Sequence, residues 1–171
     1  MAVLQKKVCL LGDFAVGKTS LVRRFVHDLF SEKYMTTVGV KVSLKKVAIP
    51  HDGQAVELTM MLWDLAGSEE FDRVRASYLR GASGAVLVCD LTRPESLASL
   101  SQYANQLLSL NSGARLVVAA NKLDLNDQQR LSLAEIEEVA GKLNAPHYLT
   151  SAKAGTEVEA FFRHLGRLLI E

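Results

Sequence analysis

The stretch Gly12-Asp13-Phe14-Ala15-Val16-Gly17-Lys18-Thr19-Ser20 reads G-x-x-x-x-G-K-T and decides the fold. Before it runs Lys7-Val8-Cys9-Leu10-Leu11, an apolar run of the length expected for a buried strand. After it, Leu21, Val22, Phe25 and Val26 repeat at helical spacing, in a helix expected to end near His27-Asp28. Strand, glycine loop and helix in that order form the setting a phosphate-binding loop requires. Gly12 and Gly17 permit backbone dihedrals that a side chain forbids, so successive N–H groups can converge on one anion. The helix beginning near Gly17-Lys18 adds its free N–H groups and the positive end of its dipole. Lys18 can reach β- and γ-phosphates, and the Thr19 hydroxyl can ligate a Mg²⁺ that bridges them. A plain turn with a surface lysine is the weaker reading once the strand and helix are counted.

Composition bounds the rest. The 171 residues are 49% hydrophobic and 23% charged, as expected for one globular domain with a real core. Twenty Lys+Arg balance 19 Asp+Glu, which gives no electrostatic case for nucleic acid or a polybasic membrane surface. Cys9 and Cys89 lie in separate apolar runs and read as buried, unlinked thiols. His27, His51, His147 and His164 show no metal-ligand spacing and read as surface or boundary residues. No run approaches a membrane span, the N-terminus lacks a signal-peptide core, and the C-terminus has no prenylation cysteine. The expectation is a cytoplasmic monomer without membrane insertion. Membrane association would need a lipidated tail that this sequence does not carry.

Residues 29–39 are polar and irregular, a loop longer than most connections and so a candidate functional loop. Val40 to Ile49 and Gln54 to Leu65 read as a hairpin around Pro50-His51-Asp52-Gly53. A second irregular stretch, Ser68 to Arg73, precedes a helix over Val74 to Arg80. Strands are then expected at 85–90, 115–120 and 147–150, alternating with helices over Pro94 to Ser109, Leu133 to Leu143 and Glu157 to Ile170. Ser132 and Glu135 form a capping box for the second of these helices. Such alternation implies an α/β fold, a six-stranded mostly parallel sheet with one antiparallel edge strand and helices on both faces. No linker or repeat interrupts it, so residues 1–171 read as a single domain.

Each remaining polar cluster falls just after an expected strand, which gathers them at the carboxyl edge of the sheet. Asp64 ends the third strand and can hold Mg²⁺ through water, while Gly67 lets a backbone N–H approach a γ-phosphate. In Asn121-Lys122-Leu123-Asp124, the Asp124 carboxylate can accept from the N1–H and amine of guanine, an arrangement adenine lacks. Asn121 can tie this loop to the phosphate loop, and the Lys122 stem can lie against a base face. In Ser151-Ala152-Lys153 the Ala152 N–H can donate to a guanine O6. Taken singly, each cluster would read as an ordinary polar turn.

In these motifs, their order and their spacing, essentially the whole chain resembles a small GTPase of the Ras superfamily. The resemblance implies GDP and GTP binding with Mg²⁺, hydrolysis of GTP, and a switch read by effectors. It makes Thr37, in Thr36-Thr37-Val38-Gly39-Val40, a Mg²⁺ ligand whose N–H touches the γ-phosphate. Phe30 matches the aromatic against the guanine, and Tyr34 the one that closes over the phosphates. Asp13, Phe14, Ala15 and Val16 line the loop, with Ala15 where many relatives carry Gly or Ser. Catalysis would rest on Lys18, Thr37, Gly67 and the residue at 68. Loops 30–39 and 66–75 would be ordered by the γ-phosphate and meet an exchange factor, an activating protein and effectors.

Thr36 to Val40, Trp63 to Gly67 and Ser77-Tyr78-Leu79-Arg80-Gly81-Ala82 are similar to the Rab branch, implying a trafficking or signalling role. Three features depart from that pattern. Val42 stands where a Phe is usual, leaving only Trp63 and Tyr78 of an aromatic trio; the prenylated cysteines are absent; and Ser68 occupies the place of the water-positioning Gln. Glu69 is placed away from the γ-phosphate by the resemblance, so a low intrinsic rate is expected. The rival readings are a GTP-binding pseudo-GTPase and the GTPase domain of a larger signalling protein. A P-loop ATPase or nucleoside kinase is disfavoured by Asp124 and by the lack of a lid segment.

Overall fold

A computed structural model describes residues 2–31, 39–66 and 72–171. Strand β1 (Val3–Leu11) leads into α1 (Lys18–His27), and β2 (Val40–His51) and β3 (Gln54–Leu65) form the hairpin. Helix α2 (Asp72–Leu79), β4 (Gly84–Asp90), α3 (Pro94–Ala98), α4 (Leu100–Leu110) and β5 (Arg115–Asn121) follow. A 3₁₀ turn (Asn126–Gln128), α5 (Leu133–Lys142), β6 (His147–Leu149) and α6 (Val158–Ile170) complete the chain. The described strands form one six-stranded sheet in the order β2-β3-β1-β4-β5-β6. Only the β2–β3 pair is antiparallel, and β2 lies at the edge. That is the sheet expected from the sequence.

The central strands read as unbroken apolar runs because both of their faces are covered. Val8, Leu10, Val86, Val88, Val117 and Ala119 face one core with α1 and α6, where Phe25 and Phe162 stack at 4.1 Å. Their neighbours Cys9, Leu11, Leu87, Cys89, Val118 and Ala120 face the second core, which includes residues of α2, α3, α4 and α5. Both cysteines are free and fully buried, and desolvation pushes each thiol up to about 12.

Several boundaries differ from the sequence reading. Strand β1 begins at Val3, not Lys7, because its backbone pairs with β3 from Val3↔Glu57 onward. A ladder of main-chain bonds tolerates the polar side chains Gln5 and Lys6 that hid it. Pro50 and His51 belong to β2, paired with Ala55 and Gln54, and the turn is only Asp52-Gly53, both at positive φ (50° and 76°). Proline fits there because an edge strand need not donate outward. The single helix expected over 94–109 is two segments meeting at Ser99, whose backbone stays helical at φ −70° and ψ −19°.

Candidate nucleotide site

The turn from β1 into α1 is shaped by two glycines. A Cβ on Gly12 would lie 2.3 Å from the Val88 carbonyl oxygen, and one on Gly17 2.2 Å from Asn121 Nδ2. Gly17 also sits at φ 104°, and it caps α1 with no side chain bonding the first turn. No acidic residue occupies that turn, which suits it to an anion. Ala15 adopts φ 68°, a left-handed conformation that explains why a glycine suits this position better.

Lys18 is buried, and its ammonium donates to the carbonyls of Gly12 (2.9 Å) and Asp13 (3.0 Å). Burial lowers its pKa from 10.5 to about 8, a shift opposed by the Asp64 carboxylate. A phosphate in contact would favour the charged form. The Thr19 hydroxyl donates to Asp64, itself 1% exposed at the end of β3. These are hard oxygen donors of the kind Mg²⁺ selects. Among the described residues no cluster of three or more His, Cys, Asp or Glu side chains forms a metal cage. Mg²⁺ does not need one, since it binds through one or two protein oxygens, phosphates and water. Thr19 and Asp64 therefore fit it.

The base side is built at the ends of β5 and β6. Asn121, 2% exposed, donates from Nδ2 to the Val16 carbonyl (3.1 Å), the tie to the phosphate loop expected from the sequence. Its Oδ1 accepts from Thr150 Oγ1 (3.1 Å) and the Ala152 N–H (3.3 Å). The Ala152 N–H thus has a long internal partner instead of pointing only at a ligand. Asp124 Oδ1 accepts from Ser151 Oγ (2.7 Å), which in turn accepts from the Ala154 N–H (2.9 Å). Lys122, at φ 71°, forms an ion pair with Asp90 Oδ2 at 2.9 Å. Phe30 is 36% exposed just after α1, and Ser20 lies half-buried in the first turn of that helix. Tyr34, Thr37, Gly67 and Ser68 lie outside the described residues.

A model of the Ras family matches residues 7–171. The chain belongs to the Ras family. Ras-related protein Rab-21 of Homo sapiens is 37% identical over 166 residues, spanning 96% of this chain and 72% of that protein. GTP-binding protein ypt1 of Schizosaccharomyces pombe is 34% identical over 96% of this chain and 80% of its own length. Ras-related protein Rab-31 of Homo sapiens is 34% identical over 98% of this chain and 84% of its own length. This Ras family chain is therefore a small GTPase of the Rab branch, a group that binds GDP or GTP with Mg²⁺. No described helix is long and apolar enough to cross a membrane.

Some residues supporting this Ras family site escaped the sequence reading. Asp13 accepts from Ser99 Oγ (2.9 Å) and Tyr103 Oη (2.8 Å), and Arg93 donates to the Phe14 carbonyl (2.6 Å). The outer arm of the phosphate loop is thereby fastened to the α3–α4 region. These partners lie 79 to 90 residues away in sequence, and no motif links them. Exposed Val42 pairs across from Trp63, whose ring meets Tyr78 at 6.3 Å.

Proposed function

We propose that this chain is a GDP/GTP-regulated switch with slow intrinsic hydrolysis, recruiting effectors through loops 30–39 and 66–75. The observation that carries it is the Asn121 side chain, which joins the loop bearing Gly17, Lys18 and Thr19 to the loops bearing Asp124 and Ala152. The groups this reading assigns to phosphate and to base are joined through that side chain. Asp124 would accept from the guanine N1–H and amine, Lys18 would hold the β- and γ-phosphates, and Phe30, Tyr34 and Lys122 would enclose the base and phosphates. Thr19, Thr37 and Asp64 would hold Mg²⁺, which would supply neutralising charge to the phosphates. Lys18 and the backbone at Thr37 and Gly67 would stabilise charge on the transferring phosphoryl group. An exchange factor, an activating protein and effectors are the partners this reading calls for, in a Rab-like trafficking or signalling role.

The slow rate follows from Ser68. A Gln there would accept from the attacking water and hold it in line, whereas a serine hydroxyl falls short of it. Intrinsic turnover should be on the order of 10-fold or more below that of a Gln-bearing relative, about 1.4 kcal/mol of barrier. Single-turnover phosphate release from bound GTP tests this directly. Ser68→Gln should accelerate hydrolysis with GTP affinity unchanged; an unchanged rate would remove the basis for a serine-limited enzyme.

A further inference from the structure

We propose that Arg24 is a positioning residue for base recognition, a clamp from α1 onto the loop that reads the guanine. The inference rests on the guanine-nucleotide reading above. Arg24 lies two turns beyond the start of α1, with its side chain 19% exposed. Its Nε donates to the Ala152 carbonyl at 2.8 Å, and its Nη2 donates to the Lys153 carbonyl at 2.6 Å. The remaining nitrogen, Nη1, is held by Asp28 Oδ1 at 3.1 Å and by the Asp28 carbonyl at 3.3 Å. One planar guanidinium therefore spans two consecutive peptide carbonyls of the base loop and is itself fixed from the C-terminal end of α1.

The consequence is geometric. The Ala152 carbonyl belongs to the residue whose own N–H donates to Asn121 Oδ1. Fixing that carbonyl and the next one limits rotation of the two peptide planes that follow Ala152, those of Ala152–Lys153 and Lys153–Ala154. Helix α1 begins at the phosphate loop, so Arg24 adds a second bridge between phosphate and base halves, independent of Asn121. A lysine could not replace it, because an ammonium lacks the rigid fork that meets two acceptors at once. The bonds are charge-assisted, and among the described residues Asp28 is the one acidic side chain paired with Arg24. Removing the fork should let the loop drift and loosen the grip on the guanine O6 first, since Ser151 Oγ still ties the loop to Asp124.

The test compares GDP with 6-thio-GDP, which keeps the N1–H and amine but replaces O6 with a larger, weaker acceptor. Dissociation rates of both are measured on the full chain for the parent, Arg24→Met and Arg24→Lys. GDP should leave Arg24→Met on the order of 10-fold faster than the parent. The preference for GDP over 6-thio-GDP should shrink at the same time, since Arg24 and O6 act through the same loop. Arg24→Lys, which keeps the charge and protects the test should the Met variant fold poorly, should recover less than half of that preference. If either variant lost both ligands equally with the preference intact, Arg24 would be a general stabiliser and the proposal would fall. Full recovery in Arg24→Lys would also overturn it, by showing that charge alone suffices. Failure of the underlying reading looks different: the parent itself would then show no preference for GDP over ADP.

Discussion

Gly17 is held by its surroundings more tightly than its place in a pattern suggests. Any Cβ there would sit 2.2 Å from the Asn121 amide, which also serves the Val16 carbonyl, Thr150 and Ala152. Gly17→Ala must both strain a backbone at φ 104° and displace that amide. A loss on the order of 1–3 kcal/mol is expected, with poor nucleotide retention. Thermal unfolding together with nucleotide occupancy checks it, and an unshifted melting temperature would show that Asn121 is free to move. At this scale the sequence was legible where the backbone forces a residue type, as at Gly12 and Gly17. It was silent where a role depends on distant partners that no motif names. Asp13 is placed by the resemblance among the residues lining the loop, but its ties to Ser99 and Tyr103 have no signal in the sequence.

Helix α5 shows how far local signals carry at the scale of an element. The Ser132 hydroxyl accepts from the Glu135 N–H, and the Glu135 carboxylate accepts from the Ser132 N–H, the reciprocal pair the spacing predicted. Ser132→Ala should cost about 1 kcal/mol of stability, read from chemical denaturation. The Glu135 carboxylate has its pKa lowered from 4.5, first by the Ser132 backbone N–H and then by the Ser132 hydroxyl. Since the folded pKa lies below the unfolded one, this contribution is present above pH 4.5 and is lost as pH falls through the lower folded value. The melting difference between the parent and Glu135→Gln should therefore narrow on acidification from neutral pH; a constant difference would argue that the charge is irrelevant. Capping boxes and apolar runs are local and were read correctly. The early start of β1 was not, because its first residues are held by pairing with β3 and not by their own side chains.

Across the whole molecule, parallel strands deliver Gly12, Asp90 and Asn121 to one edge of the sheet, and β3 brings Asp64 beside Thr19. This convergence was legible because the order of strands and polar loops implies it. The bridge through Arg24 was not, since an arginine within an amphipathic helix has no sequence signature for the carbonyls it meets. The central claim is that the assembled edge recognises guanine through Asp124. Asp124→Asn exchanges an acceptor for a donor facing the guanine N1–H and amine, groups that would then be left unpaired. Equilibrium titration of parent and variant with GTP and with xanthosine triphosphate is the most direct measurement. The account predicts that the variant loses about 2–4 kcal/mol of GTP affinity and gains affinity for the xanthine nucleotide. A variant that binds GTP as tightly as the parent, with no gain for xanthine, would contradict it.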